Sequence, residues 1–194
     1  MSEILYFVDV ILDTPADRNG AFMECGAFKG ESTAKFSIAC RLAGRRLIVC
    51  DSFEGIPEND ESDHMTLDGK AVEFPKGSYM GGLEEVEKNI ADNGAIEVCE
   101  FVKGYFEETL PEREDVLVGV YLDVDLASST RTCIGHLWPR LVDGGWLMSQ
   151  DGHLRLVLDE FKDPNLWVET LGEEVPHPLG FGEEKLIRLQ KTAR

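Results

Sequence analysis

Short apolar runs recur along the chain, and stretches with helical spacing or polar turns separate them. Residues 4–12, ILYFVDVIL, read as a short buried helix, closed by Thr14-Pro15 and the turn Asp17-Arg18-Asn19-Gly20. From Ala21 the run AFMECG, a helical stretch near 31–43 ending at Gly44, and the run RRLIVCD form a βαβ unit. Residues 54–80 hold Pro57, Pro75, several Gly and many acids, and read as a long loop or lid. A helix near 82–92 stops at Asn93-Gly94, and the run IEVCEFV follows as a strand. GVYLDVD and GGWLMSQD, with a helix from about 129 to 141 between them, make a second βαβ pair. HLRLVLDEFKD has helical spacing, and LWVET and KLIRLQK read as two final strands.

The runs show little alternation of apolar and polar positions, which predicts strands buried on both faces. That is the pattern of a mostly parallel, Rossmann-like α/β sheet with helices on both faces. Ligands of such open sheets sit outside the carboxyl ends of the strands. The residues expected there are Glu24-Cys25-Gly26, Asp51-Ser52-Phe53, Lys103-Gly104, Asp123-Val124-Asp125 and Gln150-Asp151-Gly152.

With 194 residues the chain suits one domain over 1–194, with a helical N-terminal segment (about 1–20) and an insertion (about 54–80). Nineteen Lys and Arg against 37 Asp and Glu leave a formal charge of −18, which repels a phosphate backbone. Nucleic acid and anionic membrane are therefore not expected as partners; a small molecule is, with self-association into a homo-oligomer admitted. No stretch reaches the roughly 18 apolar residues of a membrane span, and acids interrupt the first residues where a signal peptide would be basic. Five widely spaced Cys in apolar runs read as buried free thiols, so a cytoplasmic location is expected.

Three groups of residues suggest chemistry. The first is Glu24-Cys25-Gly26-Ala27-Phe28-Lys29-Gly30-Glu31-Ser32-Thr33, between a strand and a helix. Gly26 and Gly30 allow a tight turn and close backbone approach, and Ser32 or Thr33 can cap the helix, whose N-terminus then faces a ligand. Its spacing is neither the GxGxxG dinucleotide fingerprint nor a P-loop. The second is Asp51, about twenty residues on, placed to accept the hydroxyls of a nucleoside ribose. The third is Asp123 and Asp125, two apart on one strand, with Asp151 at the end of its neighbour. Such carboxylates suit Mg²⁺ or Ca²⁺, or leave one as a base; the bland reading is that they cap turns. His153, two residues beyond Asp151, is a second candidate base. His64, His136 and His177 read as structural or solvent-facing, and Trp138, Trp146 and Trp167 as core.

MECGAFKGEST, CDSFEGIPE, VKGYFEETLP, YLDVDLASST and LWPRLVDGGWLMSQD, in that order over about 21–153, resemble the macrocin O-methyltransferase (TylF-like) family. The resemblance implies the class I methyltransferase fold and S-adenosylmethionine-dependent O-methylation of a small molecule of sugar or natural-product type. It implies that Glu24, Gly26, Gly30, Ser32, Asp51 and Ser52 hold the cofactor. It further implies that Asp123, Gln150 and Asp151 are metal ligands, with Mg²⁺ the expected ion, and that Asp125 is the base. The chain departs from the family at Gln150, where an acid is usual, at Gly152-His153, where an aromatic residue is usual, and at Val124, where glycine is usual. One carboxylate fewer weakens a Mg²⁺ site. A protein that binds S-adenosylmethionine without turnover is therefore the alternative, and an NAD-dependent oxidoreductase a more distant one.

Overall fold

The computed structural model describes residues 3–192. In chain order its elements are α1 (Glu3–Asp13), β1 (Ala21–Cys25), α2 (Glu31–Leu42), β2 (Leu47–Asp51), α3 (Leu83–Asn93), β3 (Cys99–Lys103), α4 (Phe106–Thr109), β4 (Leu117–Leu122), α5 (Ala127–Leu137), β5 (Leu141–Ser149), α6 (Arg155–Glu160) and β6 (Ile187–Gln190). The strands form one sheet in the order β3-β2-β1-β4-β5-β6. The first five run parallel, and β6 closes the edge antiparallel to β5.

Every residue of β1 and β4 is buried, so neither strand alternates in sequence. On one face Met23, Ile48, Leu122 and Leu147 pack with Ile134, Val157 and Trp167. On the other, Phe22, Val49 and Tyr121 meet Phe7 and Ile11 of α1 and Phe36 of α2. Phe7 sits in an aromatic cluster, with ring centroids 4.9 Å from Phe36 and 5.3 Å from Tyr121. That burial makes residues 4–12 a helix docked on the sheet. Cys25, Cys40, Cys50 and Cys133 are buried free thiols, and Cys99 is a half-buried one.

Three local expectations change. LWVET (166–170), read as a strand, instead lies in a π-helical turn, Asn165–Thr170, that buries Trp167 against Trp138, centroids 5.2 Å apart. The aromatic and β-branched composition suggested a strand, but burial of the indole settled the backbone. IEVCEFV is a strand only from Cys99, because Ile96–Val98 is a 3₁₀ turn. α5 begins at Ala127 and ends at Leu137; a 3₁₀ turn holding Pro139, which has no N–H to continue the ladder, follows. Among the described residues no helix is long and apolar enough to cross a membrane.

Residues 54–80 dock on the body. Met65 bridges Ala71, and Thr66 bridges Leu154. Glu61 reaches across to α5, where its carboxylate accepts the N–H of Ala127 at 2.9 Å and of Ser128 at 2.8 Å. It thereby satisfies donors that a helix start leaves orphaned, where the N-cap, Leu126, has no side-chain acceptor of its own.

Candidate active site

A cavity of about 330 Å³ opens at the carboxyl ends of the central strands. Gly26, Asp51, Ser52, Asp123, Asp125, Gln150, Asp151 and His153 all line it. Glu24, Gly30 and Ser32 do not. Glu24 is fully buried beneath the glycine turn, and one of its oxygens accepts the Ser32 hydroxyl. Burial pushes its carboxyl up to about 8, against the lowering effect of Ser32 and Thr33. In this structure Glu24 and Ser32 brace the turn from beneath and Gly30 caps the helix that follows it.

The turn is built by close approach. Gly26 has φ +87°, and a Cβ there would stand 1.9 Å from the Asp123 carbonyl oxygen. No residue but glycine fits between the ends of β1 and β4. Gly30 is the N-cap of α2 at φ +78°, with no side-chain cap, so the expected capping by Ser32 or Thr33 does not occur. Asp51 faces inward as well as outward. Its Oδ2 accepts the N–H of Ala27 at 2.7 Å and of Phe28 at 3.2 Å, and its Oδ1 accepts the N–H of Phe53 at 2.7 Å. The acid expected to face a ribose thus also fixes the glycine turn, and it occupies two amides that the sequence left open to a ligand.

The carboxylates of Asp123, Asp125 and Asp151 come together, with ligand oxygens within 4.8 Å of one another. Strand alternation is not the cause. β4 ends at Leu122, and Asp125 is turned inward by a left-handed backbone of φ +62°. Asp151 holds that turn: its buried Oδ2 accepts the N–H of Val124 at 2.9 Å and of Asp125 at 3.1 Å. Burial acts on all three, and repulsion from neighbouring carboxylates adds to it at Asp125 and Asp151. Burial and then Asp123 push Asp125 up to about 7. Burial raises Asp123, and burial with both neighbours raises Asp151 well above the carboxylate range. His153 is lowered, first by partial burial and then by Lys185, so its imidazole is neutral near pH 7.

The donor set fits a hard divalent cation. Asp123 and Asp151, two of the expected ligands, stand together with Asp125, and Gln150, the third, lines the same cavity with its side-chain oxygen accepting the Tyr121 hydroxyl. Residues that the sequence reading missed include Lys185, whose carbonyl accepts the Gly152 N–H at 2.9 Å and whose charge acts on Asp123 and Asp125. Phe28 and Tyr79, both at positive φ and with rings 5.8 Å apart, also border the cavity, as do Tyr105 and Phe106. The glycine turn and VKGYFEETLP stood out as segments near the strand ends, but their spacing did not mark which of these aromatic side chains wall the pocket.

The strand order, the glycine turn after β1, the acid ending β2 and the acids following β4 define a class I methyltransferase fold. The solved "O-methyltransferase NovP" superposes with a TM-score of 0.79 at 22% identity, covering 98% of this chain and 79% of that one. The chain belongs to the Macrocin-O-methyltransferase (TylF) family, whose pattern matches residues 8–171. It is 30% identical over 156 residues to a Streptomyces olivaceus enzyme, 8-demethyl-8-(2,3-dimethoxy-alpha-L-rhamnosyl)-tetracenomycin-C 4'-O-methyltransferase, covering 78% of this chain. It is also 30% identical over 138 residues, 68% of this chain, to demethyldecarbamoylnovobiocin O-methyltransferase of Streptomyces niveus. The matches span 59% and 52% of the length of those two relatives.

Proposed function

We propose that this chain is an S-adenosylmethionine-dependent O-methyltransferase acting on a hydroxyl of a small sugar or natural-product acceptor. The observation that carries the reading is one cavity shared by the glycine turn and a cluster of inward-turned carboxylates. Bound S-adenosylmethionine supplies an electrophilic methyl on a sulfonium leaving group. The protein then needs to align the acceptor oxygen and accept its proton.

Asp125 is the residue we assign to the proton, because burial raises its basicity toward neutral pH while Asp151 fixes its backbone. Gly26, Asp51 and Ser52 are assigned to the cofactor, Gly26 by giving close backbone approach and Asp51 by a carboxylate at the end of β2. Asp123 and Asp151, with Gln150, would hold Mg²⁺, which would lower the pKa of a ligated hydroxyl and leave Asp125 to accept its proton. We read the chain as one domain with its thiols kept reduced in the cytoplasm, and sedimentation reads whether it forms homo-oligomers.

Methyl transfer from labelled S-adenosylmethionine to a panel of hydroxylated sugars and glycosides tests the assignment. Calorimetric binding of the cofactor with no transfer to any member supports the second reading, a binding protein without turnover, which the Gln150 tether to Tyr121 favours.

A further inference from the structure

Residues 54–80 wall part of the cavity, through Ile56, Pro57, Val72, Phe74 and Tyr79. Behind that wall lies Glu61, held on two sides. The Asn59 side-chain amide donates to the carbonyls of Pro57 and Phe74, each at 3.2 Å, and its Oδ1 accepts the Glu61 N–H at 3.2 Å. His64, only 3% exposed, packs edge-on against the Phe74 ring with centroids 4.9 Å apart, and its Nε2 stands 3.0 Å from the Glu61 carboxylate. The far end of Glu61 is fixed as well, because its two oxygens accept the N–H groups of Ala127 and Ser128. Those amides belong to the loop that carries Asp125. Along that loop Asp151 accepts the N–H of Val124 and of Asp125, the Leu126 N–H turns back to the Val124 carbonyl at 2.7 Å, and Glu61 takes the next two. Asp151 thus anchors one end of the loop and Glu61 the other. A left-handed Asp125, at φ +62°, persists only where its surroundings over-determine it, and the wall of the cavity supplies half of that constraint.

We propose that Glu61, oriented by His64 and Asn59, is a positioning residue for Asp125, and that it ties the wall formed by Phe74 to the loop bearing the base. The role of Asp125 rests on the proposed methyl transfer; the hold of Glu61 on the loop does not. Phe74 bears on both Asn59 and His64, so an acceptor seated against this wall also seats the loop that must take its proton. Small displacements matter there, since a misplacement of about 1 Å in a reacting group can cost roughly 10²-fold in rate.

Two measurements on the full chain test this, both made well below the melting range of every variant. In steady-state kinetics with the best acceptor of the hydroxylated panel, Glu61→Ala should lower kcat at least roughly tenfold and leave KM for S-adenosylmethionine within about twofold. Glu61→Gln keeps one acceptor oxygen and should recover much of the loss. His64→Phe keeps a ring against Phe74 but removes the nitrogen facing Glu61, and it should lower kcat in the same direction. Amide hydrogen exchange read by NMR needs no turnover: in Glu61→Ala faster exchange should spread from Ala127 and Ser128 back to Val124 and Asp125. Unchanged kcat in Glu61→Ala, a loss confined to KM for the acceptor, or faster exchange at Ala127 and Ser128 alone would overturn the proposal and leave Glu61 a helix cap. A wild type that transfers methyl to no acceptor overturns the function proposed above, and the exchange pattern then decides on Glu61.

Discussion

Asp125 occupies a left-handed backbone that a non-glycine residue adopts at a cost of about 1–2 kcal/mol, and it persists because Asp151 grips two successive amides of the turn. A strained, half-buried carboxylate pushed up to about 7 is half ionised at neutral pH, the condition under which a base works best. Asp125→Asn keeps the shape and removes the basicity. Turnover should fall roughly 10²- to 10⁴-fold with cofactor affinity nearly unchanged, while His153→Ala costs far less. Wild-type kcat/KM should rise as pH climbs through about 7 and then level, and that limb should vanish in the variant. An inactive His153→Ala beside a near-normal Asp125→Asn would move the proton to the imidazole. Glu24 raises a stability question of its own. Its folded carboxyl keeps its proton between the ordinary value of 4.5 and about 8, a range in which the unfolded chain has lost it. The stability it contributes is full below 4.5 and is lost as pH rises through about 8. Denaturant midpoints should therefore fall across that window in wild type and stay flatter in Glu24→Gln, with a gap on the order of a few kcal/mol at the alkaline end. Parallel curves would clear Glu24 of the effect.

The elements that bring these residues together differ in how far the sequence displays them. β1, β2 and β4 were legible because burial on both faces writes a nearly unbroken apolar run, β5 from its apolar second half, and α2 and α3 because Gly44 and Gly94 stop them. The glycine turn was visible as a motif, but not its purpose, since the 1.9 Å approach of a Cβ at Gly26 to the Asp123 carbonyl joins residues far apart in sequence. For the same reason the sequence did not show that Glu24 and Ser32 pair beneath the turn, or that Lys185 reaches the cavity. Period-two reasoning placed Asp123 and Asp125 on one face of a strand that ends before either. LWVET misled because its β-branched and aromatic residues suit a strand as well as a buried helical turn. Gly26→Ala must separate β1 from β4 or twist the turn, so it should cost more than about 2 kcal/mol and abolish cofactor binding; calorimetry and a urea titration read both. Glu61→Ala removes the acceptor for the first amides of α5 and unties residues 54–80 from the body. About 1–2 kcal/mol of stability should go with it, and faster proteolysis within 54–80 is the sign that the tie, more than the helix, was lost.

At the scale of the whole molecule, the site exists only where four strand ends of the sheet meet. Asp51 ends β2, Gly26 follows β1, Asp123 follows β4 and Gln150 follows β5, so no part of the chain smaller than the sheet assembles the cavity. A ligand of this cavity therefore binds the folded chain and not the unfolded one, and it must stabilise by mass action. At a hundred times its dissociation constant, S-adenosylmethionine should add about 2.7 kcal/mol, and for a chain of this length each kcal/mol moves Tm by about 2–4 °C. A rise of roughly 5–10 °C is expected, with S-adenosylhomocysteine acting in the same direction. Asp51→Ala complicates the reading, because Asp51 also holds the amides of Ala27, Phe28 and Phe53 and its loss lowers Tm before any ligand is added. The informative quantity is the ligand-induced shift measured within each variant, not Tm itself. That shift should largely disappear in Asp51→Ala and survive in Lys35→Ala, a control on the exposed face of α2 whose ion pair with Glu31 lies outside the cavity. Should the wild type show no shift at saturating ligand, the cavity at these strand ends does not bind S-adenosylmethionine.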